Sequence, residues 1–397
     1  MLNHVEVTNY KSIAHADFAL ASEVVIVGPN GVGKSNLLDA IHFVRDAARD
    51  GLDHAVAKRH GMVSIRRWSK TRPFNIGIKL SFVGPTYSGF YRVLIASAGG
   101  EFSILEEEGH WSDSDPMNMM RENKDGGPQS SSFKRIADGS VIFTLPKHPF
   151  GDFKPTVPES DLLITQFGQS AYTPLHFFFR ALYDETVSCG AYSIYPNKIR
   201  EPQTISNAEV LADDGTNLAS IIRQMRSTSF RVNKEQLTSA IRQVLPIVSE
   251  IRIESAGGYY VPVFRVKEQD SGYSHELNMS QLSDGTLRML GMLTAFYQSR
   301  APQRITLEEP EQMIHPGLLQ VLIEAGRDYL DSRVNHQVLY TTHSPILLDM
   351  FDTDSIIGAT FVDGVSKFSH MSKRQKSIIK DRLFSAGELL VAEGIFE

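Results

Sequence analysis

The sequence predicts an α/β protein with a mixed or parallel core sheet flanked by helices. The first observation is the apolar strand "EVVIV" at residues 23–27, which runs into a glycine-rich loop and then into apolar residues at helical spacing. The second is a pair of short apolar runs, "RITLEE" at 304–309 and "QVLYTTH" at 337–343, typical of parallel strands buried between helices. The third is a group of N-terminal strands, which predicts an added antiparallel β-region.

The N-terminal strands follow one another along the first hundred residues. "HVEVTNYKSI" and "DFAL" are predicted as short strands, and "FNIGIKLSFV" and "GFYRVLIASA" as two further ones. Beyond them the pattern weakens, and residues 111–132 are polar and almost without β-branched side chains. We expect that segment to be an exposed, partly disordered loop. Residues 1–100 are thus a predicted N-terminal lobe, and 101–200 an insertion with a variable loop region.

Helical patterns follow in the second half of the chain. "NLASIIRQMR" and "KEQLTSAIRQVLPIVSEI" are predicted as amphipathic helices of a helical insertion, and "SDGTLRMLGMLTAFYQ" as a third helix. "VPVFRVKE" returns to a strand pattern. No sustained heptads are present, which argues against a long coiled coil. Residues 201–397 are the predicted C-terminal lobe.

Composition narrows the class of protein. The 397 residues are 42% hydrophobic and 22% charged, which is ordinary for a globular protein. The net charge of -6 gives no overall attraction to nucleic acid, so DNA contact would need a local basic patch. Residues 367–382 are the candidate for such a patch, although a solvated helix face is the simpler interpretation of their charges. The single cysteine, Cys189, excludes an internal disulfide, and no apolar run reaches 18 residues, so we expect a cytoplasmic protein that does not span a membrane.

The glycine-rich loop predicts a nucleotide phosphate site. Gly28, Gly33, Lys34 and Ser35 satisfy the pattern G-x-x-x-x-G-K-[ST], with a strand before it and a helix after it. Glycines let backbone N–H groups surround phosphate oxygens, and the helix N-terminus adds positive potential. Lys34 would reach the β- and γ-phosphates, and Ser35 would hold Mg²⁺. ATP and Mg²⁺ are the expected cofactors.

Two carboxylates end the strand in "RITLEEPEQMIHP". We assign Glu308 to the metal and Glu309 to the attacking water, because an Mg²⁺-dependent hydrolase needs both functions side by side. Alone, such a pair is more often a solvated strand end. Its combination with the glycine loop favours the catalytic interpretation.

Two further motifs complete the set. In "LYTTHSP", His343 follows an apolar run, where a neutral imidazole would hydrogen-bond the γ-phosphate or the water, although a histidine at a strand end, taken alone, is more often structural. In "LSDGTLRML", Ser283 and Gly285 begin a predicted helix, an arrangement suited to an anion. The alternative is a simple N-cap formed by Ser283 or Asp284, which needs no ligand.

In order and spacing, these motifs resemble ATP-binding-cassette (ABC) ATPases of the SMC and RecF type. "VIVGPNGVGKSNLLDAI", "LSDGTLRML", "LEEPEQMIHP" and "TTHSP" are most similar to bacterial predicted AAA-family ATPases related to the OLD (overcoming lysogenization defect) group. The resemblance implies an ABC-type P-loop NTPase head in which the Walker A residues grip nucleotide in cis. Those residues are Asn30, Gly31, Gly33, Lys34, Ser35 and Asn36.

The resemblance also implies that the signature residues Ser283, Asp284 and Gly285 contact ATP bound to a second protomer, and that Lys11 approaches the nucleotide. The signature departs from transporters at Asp284 and Thr286. Glu308 stands where most members carry Asp, and its extra methylene is expected to alter Mg²⁺ affinity. Gln166 is a candidate for the Q-loop. The 54 residues from Ser344 to Glu397 are too few for the Toprim nuclease domain that OLD nucleases append.

These expectations define a soluble ATPase that dimerises over ATP, as a homodimer or higher even oligomer, and reopens on hydrolysis. By resemblance, the leading role is bacterial anti-phage defence, with a separately encoded nuclease or toxin as effector. One alternative is a DNA clamp in repair or chromosome maintenance. Another is a scaffold that binds ATP without turnover. No membrane partner is expected.

Overall fold

The computed structural model describes residues 1–68, 74–98, 101–113, 129–136, 139–145, 161–169, 174–267 and 274–392. Of the polar segment 111–132, residues 114–128 lie outside this description, while 111–113 and 129–132 belong to strands rather than to a loop. The strands are β1 (Leu2–Tyr10), β2 (Ile13–Ala19), β3 (Glu23–Val27), β4 (Ile76–Val83), β5 (Tyr87–Ala98), β6 (Glu101–Asp113), β7 (Gln129–Arg135), β8 (Val141–Thr144), β9 (Cys189–Tyr192), β10 (Gln203–Thr204), β11 (Val248–Ala256), β12 (Tyr259–Lys267), β13 (Ser274–Asn278), β14 (Arg304–Glu308), β15 (Gln337–Thr342), β16 (Ile356–Val362) and β17 (Val365–His370).

The helices connect and cover these strands. They are α1 (Lys34–Asp50), α2 (Leu52–Ala57), α3 (Met62–Ile65), α4 (Leu163–Gln169), α5 (Pro174–Val187), α6 (Pro196–Arg200), α7 (Leu218–Gln224), α8 (Arg231–Val244), α9 (Asp284–Tyr297), α10 (Leu319–Ser332), α11 (Pro345–Leu348), α12 (Lys373–Lys380) and α13 (Ala386–Ala392). Within the described residues, no helix has the length and apolar character needed to cross a membrane.

In the described part of the chain, one mixed sheet has thirteen strands, in the order β8-β7-β6-β5-β4-β1-β2-β17-β16-β3-β15-β14-β9. The run β16-β3-β15-β14-β9 is parallel, and the strands from β8 to β2 pair antiparallel. The parallel strands are buried on both faces, as in β15, whereas β4 alternates buried and half-exposed residues. The expected mixed core and N-terminal antiparallel region are confirmed.

The strand β3 separates two hydrophobic cores. Val24 and Ile26 pack into the core that contains α1, and Val25 and Val27 pack into the core that contains α9 and α10. Because successive strand residues point to opposite faces, this apolar run without alternation is required for a strand covered on both sides. The loop that follows β3 is therefore anchored from two directions.

The predicted helical insertion of the C-terminal lobe, called the insertion below, contains a second sheet, which has four strands among the described residues. In this sheet β12 lies between β10 and β11 and also pairs with β13. The sequence predicted a single helix from Lys234 to Ile251, but α8 ends at Val244 and β11 begins at Val248. Pro246 explains the difference, because it cannot supply a helical backbone N–H, and the β-branched residues after it favour a strand. The insertion is therefore a helix-on-sheet unit rather than helices alone.

Candidate nucleotide-binding and hydrolysis site

The glycine loop turns between β3 and α1 with left-handed backbone at Gly31 (φ 80°) and Gly33 (φ 102°). A Cβ at Gly33 would lie 2.2 Å from the Ser366 hydroxyl, so this position requires glycine on steric grounds as well. The helix begins at Lys34, which directs its first N–H groups toward the loop. The local geometry is that of an anion-binding nest.

Lys34 points back into the loop. Its Nζ donates to the carbonyl oxygens of Gly28 at 2.7 Å and Pro29 at 2.9 Å. Burial lowers the pKa of Lys34, and the carboxylates of Glu309, Glu311 and Glu308 act against that shift. Neutral carbonyls hold the ammonium of Lys34, and it forms no ion pair with the described carboxylates. Its positive charge is therefore available to a phosphate.

Two adjoining cavities connect the loop to the end of β14. The first, of about 260 Å³, is lined by loop residues and Glu309, and the second, of about 230 Å³, contains Ser35, Glu308 and Glu309. The loop residues in the first cavity are Asn30, Gly31, Gly33, Lys34, Ser35 and Asn36. The structure therefore brings every predicted Walker A residue and both predicted carboxylates to one place.

Ser35 and Glu308 form the part of the site suited to a divalent cation. Burial raises the pKa of Glu308, and its hydrogen bond with the Ser35 side chain acts in the opposite direction. A half-buried carboxylate beside a hydroxyl fits Mg²⁺, which takes few protein ligands and completes its shell with water and phosphate oxygens. Within the described residues no group of three or more His, Cys, Asp or Glu side chains forms a separate metal site.

Glu309 stands at the junction of the two cavities in a strained conformation. Its φ is 43°, in the left-handed region that non-glycine residues rarely adopt, and its N–H donates to the Thr341 carbonyl at 2.9 Å. The side chain accepts a hydrogen bond from Gln312, and its Oε1 lies 3.6 Å from Nδ1 of His343. Backbone strain of this kind is concentrated at functional sites, where surrounding contacts enforce it.

His343 is positioned by a residue that the sequence did not single out, Glu311. Its Oε1 accepts from the Thr342 hydroxyl at 2.7 Å and from the backbone N–H of His343 at 3.2 Å. The same oxygen lies 3.6 Å from Nδ1 of His343, and the carboxyl is only 10% exposed. The other oxygen, Oε2, is buried and has no hydrogen-bond partner within the described residues. The third carboxylate in "EEPE" was the available signal.

Arg288 links the helix α9 to the end of β14, and no sequence motif pointed to this residue. Its guanidinium donates to the Ile194 carbonyl at 3.1 Å and to the Glu309 carbonyl at 3.0 Å. Burial lowers its pKa. Ser193 and Tyr195, which follow β9, line the same cavity as Ser35 and Glu308. These residues come from segments far apart in sequence, and only the sheet order joins them.

The signature residues lie outside both cavities. Ser283 is the N-cap of α9, and its Oγ accepts from the Thr286 N–H at 3.2 Å. Asp284 pairs with Arg200 at 2.6 Å, and a Cβ at Gly285 would lie 2.6 Å from the Met313 carbonyl. In a single chain the segment is thus a capped helix start packed on the loop that follows Glu309, and it contributes no group to the chain's own phosphate loop cavity.

Sequence comparison identifies the family. A profile described as "AAA domain, putative AbiEii toxin, Type IV TA system" matches residues 24–84 and 160–349, more than half of the chain. The chain belongs to this AAA family. A 45-residue segment is also 47% identical to the DNA replication and repair protein RecF of two Porphyromonas gingivalis strains, and it covers 11% of this chain and 12% of RecF.

Solved structures show the fold of this AAA protein. An Smc head bound to the C-winged helix domain of ScpA matches with a TM-score of 0.52 at 13% identity, over 94% of this chain and 99% of that one. An Smc head from Pyrococcus furiosus, with an extended coiled coil and bound to the C-terminal domain of ScpA, matches with a TM-score of 0.51 at 11% identity, over 96% and 99%. The expected ABC-type head fold is confirmed.

Lys11 of the AAA protein is held by Asp39, which lies more than one turn into α1 from the phosphate loop. Its Nζ pairs with Asp39 at 2.6 Å, and Asp39 also accepts from Arg59 at 2.7 Å. The next residue, Ser12, accepts from the Asn36 side chain at 2.7 Å. The segment around Lys11 therefore contacts α1 directly, but Lys11 lines neither of the two cavities.

A buried ion network fixes the far half of α1. Arg45 and Asp46, 1% and 0% exposed, pair with each other, and Arg45 also reaches Asp213 at 3.0 Å. Burial acts to raise the pKa of Asp46, but Arg45, Arg59 and Lys58 outweigh it and lower the pKa to about 2. This network joins α1 to the segment before α7, so it aligns the phosphate loop helix with the C-terminal half of the protein.

Two remaining predicted residues lie elsewhere. Gln166 is on α4, where the neighbouring Thr165 donates to the Ala47 carbonyl at 3.3 Å. That contact is 13 residues along α1 from Lys34, or about 20 Å, so Gln166 does not fit a role at the γ-phosphate. Cys189 is buried and unpaired, and burial raises the pKa of its thiol, as expected of a structural residue.

Proposed function

We propose that this AAA protein is an Mg²⁺-dependent ATP hydrolase. One observation carries the proposal: Ser35, Glu308 and Glu309 line a single cavity that adjoins the phosphate loop. This arrangement supplies a phosphate cradle, a cation site and a carboxylate for water within the reach of one triphosphate. The strained backbone of Glu309 and the shifted pKa of Glu308 support the same site, because both features mark functional positions.

Each side chain has a proposed role in hydrolysis. Lys34 neutralises the β- and γ-phosphates, and Ser35 with Glu308 holds Mg²⁺, which supplies charge compensation when bound. Glu309 orients the attacking water and accepts its proton, and His343 hydrogen-bonds the γ-phosphate or that water. Glu311 fixes the backbone of His343. Lys11 remains a proposed nucleotide contact. To make that contact directly, its ammonium would have to leave Asp39; otherwise its segment would influence the nucleotide through the hydrogen bond from Asn36 to Ser12.

We infer that a second copy of the chain completes the site. Ser283 and Gly285 begin α9 and contribute nothing to the cavity of their own chain, yet Arg288 links α9 to Glu309. A partner's helix start, brought to the γ-phosphate by ATP, would add N–H donors and a favourable dipole there. Two copies closing over two ATP molecules, as a homodimer or higher even oligomer, form the proposed switch.

The proposed output of the switch is control of a separately encoded effector, a nuclease or toxin, in cytoplasmic anti-phage defence. The family description, which refers to a putative toxin of a toxin–antitoxin system, supports an output of this class. The Smc heads of similar fold are bound to a separate ScpA domain, which supports partner binding by this fold. The relationship to the OLD group remains a proposal that rests on the four motifs.

Turnover by the purified protein tests the enzymatic proposal. Wild type should hydrolyse ATP with Mg²⁺ and not with EDTA, and Glu309→Gln should bind ATP but lose about 10²–10³-fold in kcat, because an amide cannot accept the proton. Glu324→Gln, at an exposed position of α10, makes the same change of charge away from the site and is the matched control. Full hydrolysis by Glu309→Gln would overturn the assignment, and absence of turnover in wild type with its partner present would favour the ATP-binding scaffold.

A pair of variants tests effector control. Glu309→Gln should hold the ATP-closed state and Lys34→Ala should not form it, so a genuine effector should be retained by the first and released by the second. The measurement is co-purification from native cells with ATP and Mg²⁺. Equal retention of every partner by both variants would contradict control by nucleotide.

DNA repair remains the alternative because of the RecF segment. A repair clamp would be retained on DNA by Glu309→Gln with ATP and released from it by Lys34→Ala, without any protein effector. The same two variants therefore decide between the two outputs.

A further inference from the structure

A basic groove lies in the insertion, away from the nucleotide site. It has a volume of about 550 Å³ and lies between α8 and β11, beside the segment that follows α7. Five cationic side chains line it and only two carboxylates do, in a chain whose net charge is -6. The cations are Arg226, Arg231, Lys234, Arg242 and Arg252.

The two carboxylates neutralise only two of the cations. Glu235 pairs with Arg231 at 2.8 Å, and Glu250 pairs with Arg252 at 2.9 Å. Glu250 also lies 3.9 Å from Arg265, so its charge is shared with a further cation. An excess of three positive charges remains in the groove.

The three excess cations have no carboxylate partner among the described residues. Arg226 donates to the Ile253 carbonyl at 3.0 Å, and Arg242 donates through Nε to the Val248 carbonyl at 3.2 Å. The ammonium of Lys234 forms no ion pair in the described parts of the chain, and the neighbouring Thr238 hydroxyl donates to the Lys234 backbone carbonyl rather than contacting the ammonium. Carbonyls orient the two guanidiniums without cancelling their charge, which leaves donors for an anion.

The shape of the charge indicates a linear polyanion. Two of the excess cations, Lys234 and Arg242, are separated by two four-residue steps, so they lie along one face of α8 about 12 Å apart, and Arg226 lines the groove beside them. A compact phosphate would need these groups to converge on one point, whereas a row matches phosphates repeated along a strand. None of the described residues that line the groove is aromatic, so they offer no platform for base stacking.

We propose that this groove binds the phosphodiester backbone of a nucleic acid without regard to sequence. The contact is electrostatic, from Arg226, Lys234 and Arg242, and it does not use the nucleotide site. It goes beyond the proposed hydrolase, and either proposal can fail alone, because binding in the groove needs no ATP.

The test compares two triple variants of the full chain. Arg226→Gln with Lys234→Gln and Arg242→Gln removes the excess charge of the groove, and Lys373→Gln with Arg374→Gln and Lys380→Gln removes the same charge from α12. Binding of a labelled random-sequence 30-base-pair DNA is followed by fluorescence anisotropy without nucleotide, from about 50 to 200 mM salt. Unchanged thermal unfolding and ATP binding show that each variant is folded, and Lys234→Glu alone repeats the test with a single side chain.

The groove variant should lose at least tenfold in affinity at 100 mM salt, and its slope of log K against log salt should be shallower by about 2.7, or about 0.9 for each lost phosphate contact. The α12 variant should bind as wild type does. Absence of DNA binding in wild type, or equal loss in both triple variants, would overturn the proposal. Competition by pyrophosphate at equal phosphate concentration as effective as that by unlabelled DNA would also overturn it, in favour of a small-anion site.

Discussion

The phosphate loop cavity and the signature segment differ in how complete they are within one chain. The cavity unites Lys34, Ser35 and Glu309, which lie up to 275 positions apart in sequence; Lys34 is buried, and the backbone of Glu309 is strained. The start of α9 is exposed and satisfied: Ser283 caps its helix, and Asp284 pairs with Arg200. Desolvation and strain are concentrated at the cavity, which therefore gains most from a charged ligand. The signature residues contribute no group to the phosphate loop cavity of their own chain.

The largest effect on ATP affinity is expected from Lys34→Ala in the phosphate loop cavity. The variant loses a charge-assisted contact to the phosphates, so its ATP affinity should fall by about 10- to 100-fold, as expected for loss of 1.5–3 kcal/mol. Isothermal titration of ATP into the variant measures this. Lys380→Ala, on the exposed face of α12, is the matched control. Unchanged affinity in Lys34→Ala would mean that the loop is not the phosphate site.

A smaller effect is expected from Glu311→Gln. The amide keeps the size of the carboxyl but weakens its bonds to Thr342 and the His343 N–H, so kcat should fall by about tenfold while KM for ATP changes little. Thermal unfolding should be nearly unchanged. Glu324→Gln, exposed on α10, is the control. A rise in KM with kcat intact would show that Glu311 acts in binding rather than in positioning His343.

A pH dependence of a few fold is expected from Glu308. Its pKa is raised above 4.5 by burial, and Mg²⁺ requires the ionised form, so Mg²⁺-dependent ATP affinity should begin to fall above pH 4.5 as the pH is lowered. Titrations at several pH values measure this. Glu308→Gln should abolish the dependence and Ser283→Ala should retain it. An identical pH profile in wild type and Glu308→Gln would contradict the role of Glu308.

The smallest effect is expected at the signature in the isolated chain. Ser283→Ala removes an N-cap, which should lower the free energy of unfolding by about 1 kcal/mol and the Tm by about 2 °C. ATP affinity of the monomer should remain unchanged. Thermal scans and titrations below the concentration of dimerisation give both values. A marked loss of ATP affinity would show that the signature acts on its own chain.

The same contrast explains what the sequence could predict. Walker A is contiguous and lies between a strand and a helix, so Gly33, Lys34 and Ser35 were identified from residues alone. Arg288 and Tyr195 were missed because only the order of β9, β14 and β15 brings their segments to the cavity. Glu311 was missed because a third carboxylate has no meaning until its contact with His343 is known.

The insertion shows a second limit. Charge density along the sequence pointed to residues 367–382, but Lys376 there is paired with Asp354. The cations of the basic groove are spread from Arg226 to Arg252 on three segments, so no sequence window contains them as a cluster. The long strand β6 was likewise missed, because its half-exposed residues weaken the apolar alternation, whereas "GFYRVLIASA" correctly predicted most of β5.

Mixing two inactive variants tests the composite site most directly. Lys34→Ala lacks a working phosphate loop and Ser283→Arg lacks a working signature, so each homodimer should be inactive. A mixed dimer unites one intact loop with one intact signature, and random exchange should restore up to roughly a quarter of wild-type ATPase activity. Light scattering of Glu309→Gln should show an ATP-dependent dimer in parallel. No rescue together with no ATP-dependent dimer would contradict completion of the site by a second copy, and Ser283 would be an ordinary helix cap.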